Sequence, residues 1–345
     1  MVLDNKFNIS DLDLLRVFAL LIVVLRHSFA PYMGGMWGLD DFYESSYNAK
    51  IIGKYVSTVS MPLYVFISGV LFSYLRNYLK KYQNYKVLIQ KKVKRLIRPY
   101  IILAPLYLIF FTEANSFLEH LLGLWEGAGH LWFLLMIFTV FLIFYPFENY
   151  FKNNITKGFI IFSGLYCIYH LIHFYTFSAA IVLSLKYMPF FYIGYMYYYK
   201  SEIVLNFLKN KAMLLFLLHA VLFIATYIII PKYIAGTRLY VVISKLIFLP
   251  MGITSISFLF IVFSKMKFNL SKKSHKIIKN INTNSYYVYI LHQPFLILIF
   301  KLNFLRNWNE VSLILVSFLC VFLISLVLSN LIMKFKIGRK LIGAY

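Results

Sequence analysis

Cysteine and acidic residues are scarce in this chain of 345 residues, which has two cysteines and 12 aspartates and glutamates against 35 lysines and arginines. Both cysteines, Cys167 and Cys320, lie inside apolar runs, so we expect no structural disulfide and infer nothing about an oxidising compartment. The net charge of +23 would suggest a nucleic-acid partner in a soluble protein. In a membrane protein the same excess follows from basic cytoplasmic loops, so we expect no nucleic-acid partner.

Charged residues of all kinds are also few, at 14% of the chain, whereas apolar residues make up 61% and aromatic residues 20%. Because soluble domains are usually about 45–50% apolar, this composition indicates an integral membrane protein. The sequence shows no internal repeat, no low-complexity linker and no appended soluble domain. The first apolar run is followed by further apolar runs, so we expect a retained helix and not a cleaved signal peptide.

Apolar runs of about 20 residues, the length that crosses a bilayer as a helix, recur along the whole chain. We predict an all-α, polytopic bundle that forms a single transmembrane domain over 1–345. The weakest division lies between the fifth and sixth spans. About ten spans are predicted, at 13–32, 55–76, 95–112, 131–147, 158–175, 178–199, 212–230, 239–264, 284–301 and 311–333.

Loop charge predicts the orientation of these spans. With a cytoplasmic N-terminus, the cytoplasmic segments hold 25 lysines and arginines and the outer loops hold six, which predicts both termini inside. The basic stretch 80–94, with interleaved tyrosines, is expected to lie on anionic membrane lipids of the inner leaflet. The high content of Lys, Asn, Ile, Phe and Tyr is typical of an AT-rich bacterial genome, so the bacterial plasma membrane is the expected location.

The first span contains ionisable side chains at Arg16, Arg26 and His27. An ionisable side chain at the centre of a bilayer costs at least about 2.5–3.5 kcal/mol, so such residues usually mark a site or a partner. Arg16 and His27 share one helix face and lie about 16 Å apart along the axis. Arg26 lies about 100° around the helix from His27, so it need not share the same environment.

This spacing suits a reaction that starts from an acyl-coenzyme A thioester made in the cytoplasm, because a pantetheine arm can cover such a distance. Arg16 at the inner mouth can hold the phosphate-bearing end of the donor. His27 can take the proton of an attacking hydroxyl, since the ordinary pKa of histidine is about 6.5. From spacing alone, the alternative is that both side chains make polar contacts between helices.

Five fragments in order along the chain carry a resemblance to the membrane acyltransferase-3 family, which covers about 11–330. They are the Arg-x10-His pair with its Asp-Leu-Leu-Arg lead at 13–16, the Phe-Ile-Ser-Gly end of 62–69, Arg-Leu-Ile-Arg-Pro at 95–99, Gly-His-Leu-Trp-Phe-Leu at 129–134 and Ser-Tyr-Tyr-Val-Tyr-Ile-Leu-His-Gln-Pro at 285–294.

The resemblance implies transfer of an acyl group, most often acetyl, from cytoplasmic acyl-coenzyme A to a hydroxyl of a cell-surface or lipid-linked carbohydrate. It implies acetyl-coenzyme A as co-substrate, a carbohydrate or glycolipid acceptor and no metal. Direct transfer and a covalent acyl-histidine relay both fit this chemistry. Some relatives carry an appended extracytoplasmic domain, and because this sequence ends at Tyr345 we expect a stand-alone form.

The resemblance also assigns roles on the donor side. His27 becomes the catalytic base, with Arg16 orienting the donor. Arg95 and Arg98 are expected to bind the coenzyme's phosphates, although basic residues just inside a span are also what the positive-inside rule predicts. Ser68 is expected to give a supporting hydroxyl to the donor, although a Ser-Gly pair also permits close helix packing.

On the acceptor side we expect His130, Trp132, His292 and Tyr289 to bind substrate. A tryptophan at the level of Trp132 is equally typical of interfacial anchoring. His292 lies mid-span with Tyr289 one turn before it, and a hydrogen bond between helices explains a histidine there nearly as well.

Two further expectations concern charged residues around the base. A carboxylate is expected to orient His27, and the candidates are Glu113, Glu119 and Glu126. Lys186, which falls inside the sixth predicted span, is expected either to snorkel to the membrane surface or to lie at a helix end, and to take no part in the chemistry.

The rival class is a transporter, flippase or polymerase of lipid-linked sugars, which ten spans and buried arginines would also suit. Against it stand the motif order and the absence of visible paired repeats with broken helices. Donor binding separates the two classes, because an acyltransferase should bind acyl-coenzyme A and a flippase should not.

Overall fold

The structure is a computed structural model that describes residues 9–34, 43–111, 116–172, 180–265 and 271–343, and every regular element within them is helical. The prediction of an all-α fold is confirmed for that part of the chain. Six helical stretches there are long and apolar enough to cross a membrane, namely Tyr47–Tyr78, Gly129–Asn153, Ile155–Ile172, Ala212–Ile234, Arg238–Lys265 and Glu310–Lys334.

The helices follow one another closely along the chain. Short 3₁₀ segments cover Ala30–Met33, Gly129–Leu131 and Asn303–Leu305, and π-helical turns cover Tyr74–Tyr78, Val93–Ile97 and Ala225–Ile229. The α-helices are α1 (Ile9–Ser28), α2 (Tyr47–Ser73), α3 (Tyr85–Lys92), α4 (Arg98–Phe111), α5 (Phe117–Glu126), α6 (Trp132–Asn153), α7 (Ile155–Ile172), α8 (Leu183–Tyr199), α9 (Ser201–Leu208), α10 (Ala212–Ile224), α11 (Pro231–Ile234), α12 (Arg238–Lys265), α13 (Lys272–Phe300), α14 (Glu310–Lys334) and α15 (Lys336–Leu341).

Each of the ten predicted spans overlaps a helix, but four of those helices lack the length or the apolar composition of a free-standing span. The helix α1 carries several charged residues, α4 and α8 have 14 and 17 residues, and α13 begins with a polar half. The ends of the predicted spans at 112, 173–175 and 178–179 lie outside the described residues.

The helix α1 lies in the middle of the bundle and packs against α2, α12, α13 and α14. Its apolar side chains, such as Leu15, Leu20 and Val24, are completely buried. A helix surrounded in this way can hold charged side chains, because neighbouring helices and not lipid face them. The bundle therefore shields the ionisable residues of the first span.

Contacts between side chains show how α1, α13 and α2 run relative to one another. Arg16 Nη2 donates a hydrogen bond to Ser285 Oγ at 3.5 Å, and His27 Nδ1 lies 3.2 Å from His292 Nε2. Residue numbers rise together in these two pairs, so α1 and α13 run in the same direction. The helix α2 runs the opposite way, because its early residue Ser57 accepts a bond from Arg26 Nε at 3.1 Å.

The helices α2 and α8 approach closely where two glycines replace larger side chains. A Cβ atom on Gly69 would clash with the backbone carbonyl of Phe191, and one on Gly194 would clash with the carbonyl of Phe66. Gly69 therefore serves packing, the role that small residues usually have in membrane helices.

Gly69→Ala is expected to lower the thermal unfolding temperature of the detergent-purified protein. The added methyl group meets backbone that cannot move aside, and overpacking of this kind costs about 1–3 kcal/mol. Gly164→Ala is the matched control, because nothing lies within 4 Å of the position that its Cβ would take. Equal unfolding temperatures for the two variants would contradict the close packing of α2 on α8.

Candidate functional site

Two cavities lie towards opposite ends of α1. The inner cavity, about 160 Å³, is lined by Arg16 together with residues of α2, α3, α6 and α13. The outer cavity, about 430 Å³, is lined by His27 together with residues of α2, α6, α8, α12 and α13. We name them after the predicted orientation of α1. Arg16 and His27, which share one face of the first span, thus line two different cavities of the bundle.

Three cations line the inner cavity, namely Arg16, Lys92 and Arg95. No carboxylate is among the lining residues in the described part of the chain. Ser68 also lines it, and its Oγ donates to the backbone carbonyl of Tyr64 at 3.0 Å. A wall with three positive charges and no negative one is suited to a phosphate-bearing ligand.

Lys92, in α3 and outside the predicted spans, is a member of this site that the sequence analysis did not single out. Its Nζ lies 3.4 Å from the centroid of the Phe141 ring. Burial, and then the neighbouring Arg95 cation, hold the pKa of Lys92 well below its ordinary value. Arg95 and Arg98 are both exposed, but Arg95 lies over the ring of Tyr286 and lines the cavity, whereas Arg98 lies outside its described lining.

His27 and His292 form a hydrogen-bonded pair beside the outer cavity. His292 Nδ1 lies 2.6 Å from the carbonyl of Tyr289, and His27 Nδ1 lies 2.9 Å from the carbonyl of Val23. A carbonyl only accepts, so both Nδ1 atoms carry the proton in the neutral rings. His292 Nε2 is then an acceptor facing His27 Nδ1, and His27 Nε2 carries the lone pair that a general base needs.

His130 is the third histidine of this cluster. Its Nε2 donates to the carbonyl of Ile290 at 2.9 Å, and its backbone N–H donates to Gln293 Oε1 at 2.9 Å. The remaining ring atom, Nδ1, is buried without a hydrogen-bond partner. With the proton on Nε2, this Nδ1 is an acceptor, and a ligand hydroxyl is the kind of donor that satisfies it.

Tyr289 lines both cavities. Its hydroxyl donates to the backbone carbonyl of His130, and its ring lies 5.5 Å from that of Phe133 and 6.1 Å from that of Tyr64, measured between centroids. This aromatic group lies between the cations of the inner cavity and the histidines of the outer one.

The structure brings most of the predicted site residues together. Ser68, Arg16 and Arg95 line the inner cavity, and Tyr289 lines both. His130 and Trp132 line the outer cavity with His27, and His292 contacts His27 directly.

Further side chains bear on the surroundings of His27. Its described side-chain partner is His292, while Glu119 and Glu126, two of the glutamates expected to orient it, are exposed, and Glu113 lies outside the described residues. Arg26 lines the same cavity as His27, although the two lie about 100° apart around α1. Lys186, in the first turn of α8, lines this cavity as well.

Although three histidine rings meet here, no group of three or more His, Cys, Asp or Glu side chains is placed to hold a metal ion among the residues with described positions. What the arrangement offers is acid-base chemistry. It has a histidine protonated on Nδ1, a second histidine bonded to that atom, and a cationic cavity at a pantetheine arm's distance along α1.

A family model described as an acyltransferase domain matches residues 9–330. No curated protein and no solved structure matches the chain.

Proposed function

The protein belongs to the acyltransferase-3 family and crosses the membrane several times, and from that premise we propose that it transfers an acetyl group from cytoplasmic acetyl-coenzyme A to a hydroxyl of a cell-surface or lipid-linked carbohydrate. The observation that supports this best is that the two ends of α1 carry different functional groups. A cavity with three cationic side chains lies at one end, and a histidine whose Nδ1 carries the proton lies at the other.

The proposal includes the location and orientation of the bundle. We place it in the bacterial plasma membrane with ten spans and both termini in the cytoplasm. The charge imbalance between the loops supports this orientation. The parallel course of α1 and α13, the first and ninth predicted spans, is consistent with it, because two odd-numbered spans cross the membrane in the same direction.

On the donor side, Arg16, Lys92 and Arg95 bind the phosphates of the coenzyme and Ser68 contacts the pantetheine arm. Guanidinium groups are suited to this task, because their planar fork gives two parallel hydrogen bonds to a phosphate. Arg98, exposed one turn beyond Arg95, makes a weaker contact at the mouth. The arm then extends past Tyr289 towards His27.

The chemical step is a direct transfer in which His27 Nε2 removes the proton of the acceptor hydroxyl. The hydroxyl oxygen attacks the thioester carbonyl carbon, the carbon–sulfur bond breaks, and the coenzyme leaves as a thiolate that takes the proton back from the imidazolium. His292 holds His27 in the correct tautomer, and its Nε2 lone pair stabilises the imidazolium through the bond from Nδ1.

On the acceptor side, His130 and Trp132 bind the carbohydrate. His130 Nδ1 accepts a hydrogen bond from one hydroxyl, which supplies the partner that this buried atom lacks. Trp132 offers a flat ring on which the apolar face of a sugar packs.

The test uses purified protein in lipid nanodiscs, acetyl-coenzyme A and the envelope glycan isolated from cells that lack the gene. Acyl transfer predicts release of the free coenzyme thiol only when both substrates are present, and an equal amount of acetyl ester on the glycan. A transporter or flippase of lipid-linked sugars predicts no thiol release, and that result would overturn the proposal.

The Michaelis constant for acetyl-coenzyme A is expected to rise as the pH rises through the lowered pKa of Lys92. A protonated Lys92 attracts the donor's phosphates, and a neutral one does not. The other cations of the cavity, Arg16 and Arg95, are guanidinium groups that stay charged. The Tyr82 phenol lies next to Lys92, and burial raises its pKa above the ordinary value. Lys92→Arg, which stays protonated, should remove this pH dependence, and an unchanged pH profile in that variant would contradict the role of Lys92.

A further inference from the structure

The outer cavity contains more positive charge than acyl transfer to a neutral sugar needs. Besides the histidines, Arg26 and Lys186 line it. No aspartate or glutamate is among the lining residues that the structure describes. Each cation inside a membrane bundle costs at least about 2.5–3.5 kcal/mol, and two in one cavity also repel each other. A ligand that brings negative charge offsets both the cost of placing the cations inside the membrane and the repulsion between them.

Arg26 is held at the cavity wall by a defined contact. Its Nε donates to Ser57 Oγ at 3.1 Å, and Ser57 Oγ donates in turn to the carbonyl of Gly53 at 2.7 Å. This chain fixes the plane of the guanidinium at a position next to His27 in sequence. A guanidinium fixed in this way can bind a carboxylate or phosphate through parallel N–H bonds.

Lys186 is held at the same cavity by aromatic rings. Its Nζ lies 4.6 Å from the ring centroid of Phe248 and 5.4 Å from that of Tyr187. Ring faces attract an ammonium group. The second cation is therefore held at the cavity wall by its aromatic neighbours.

An aromatic surface lies beside these cations. The rings of Trp132 and Tyr187 are stacked, with centroids 5.7 Å apart and planes inclined by 25°, and both residues line the outer cavity. A sugar ring packed on this surface would have its substituents within reach of Arg26, Lys186 and His27. The cavity of about 430 Å³ is in the usual size range of small-molecule sites.

We infer that the carbohydrate acceptor is acidic, and that its carboxylate or phosphate binds Arg26 and Lys186 while a neighbouring hydroxyl faces His27. The inference rests on the proposed function and specifies its substrate class. The alternative use of these cations, stabilising the oxyanion that forms on the thioester carbonyl, would act on every acceptor equally. Acceptors with and without the anion therefore separate the two roles.

The test compares three forms of the envelope glycan from cells that lack the gene, each supplied with acetyl-coenzyme A and the protein in nanodiscs. One form is untreated, one has its carboxyl groups reduced to alcohols, and one has its phosphates removed. An acidic acceptor predicts that kcat/KM falls at least about tenfold in one of the two treated forms, the loss expected for one charge-assisted hydrogen bond, and the affected form identifies the anion. Equal rates on all three forms would overturn the inference and leave the acyltransferase activity standing, whereas no transfer to the untreated glycan would instead overturn the proposed function.

Variants give a second, independent readout. Arg26→Gln and Lys186→Gln are each expected to raise the KM for the untreated glycan about tenfold, with the KM for acetyl-coenzyme A unchanged, and to have little effect on the form without the anion. Lys301→Gln, an exposed lysine outside both cavity linings, is the control and should match the wild type. A fall in kcat that is equal on all forms would assign the two cations to the oxyanion and contradict an acidic acceptor.

Discussion

His27→Asn is expected to lower kcat for acyl transfer by about 10²–10⁴-fold, the range that a general base usually contributes. The asparagine amide can replace the Nδ1–H that faces Val23 and His292, so the local contacts of the ring are largely kept. What is lost is the Nε2 lone pair that takes the hydroxyl proton. The measurement is the rate of coenzyme thiol release at saturating donor and acceptor.

The matched control is His219→Asn. His219 is also buried, and its Nδ1 also contacts a backbone carbonyl, that of Met251 at 3.1 Å, but it lies outside both cavity linings. This variant should retain wild-type kcat. If both substitutions reduced kcat alike, the loss would reflect buried-histidine packing and not a catalytic base.

Arg16→Gln is expected to weaken acetyl-coenzyme A binding by about 30-fold or more. Leaving a buried charge without its partner costs about 2–5 kcal/mol, and Arg16 lines the inner cavity from the central helix α1. Glutamine can still reach Ser285 with a neutral amide, so the change removes charge more than shape. The measurement is the dissociation constant of the donor by equilibrium binding to the protein in nanodiscs.

The informative comparison is with Arg98→Gln, because the sequence assigns Arg95 and Arg98 the same role and the structure separates them. Both are exposed, but only Arg95 is among the described residues that line the inner cavity. Arg98→Gln should therefore weaken donor binding much less than Arg16→Gln. The reverse order would place the coenzyme on the exposed basic face of α3 and α4.

The pair formed by Arg16 and His27 shows what the sequence can predict. Their spacing of eleven residues is a local property of one helix, and helical geometry alone puts both on one face about 16 Å apart. The all-α architecture follows in the same way from the length and composition of the apolar runs. Such features need no knowledge of which helices are neighbours.

The contacts of His27 show what the sequence cannot predict without the fold. His292 is 265 residues away along the chain, so only the packing of α1 on α13 brings it to His27. Of the glutamates expected to orient His27, Glu119 and Glu126 are exposed and Glu113 lies outside the described residues, while a neutral histidine makes the described contact. Arg26 and Lys186 line one cavity from two different helices, and only the packing of those helices brings them together.

The helices α1, α4, α8 and α13 overlap predicted spans but fall short of a free-standing span for different reasons. The helix α1 is rich in charged residues, α4 and α8 are short, and α13 begins with a polar half. The charged residues of α1 include Arg16 and Arg26, which line the two cavities and face neighbouring helices. The polar positions that weaken the span signal of α1 thus indicate where the site lies.

The most direct measurement is the O-acetyl content of envelope glycans by proton NMR, in cells with the intact gene, without the gene, and with His27→Asn restored at equal protein level. The account predicts that the acetyl signals disappear in both defective strains while the glycan keeps its amount and chain length. Loss of the glycan itself, or full acetylation with His27→Asn, would contradict acyl transfer at His27.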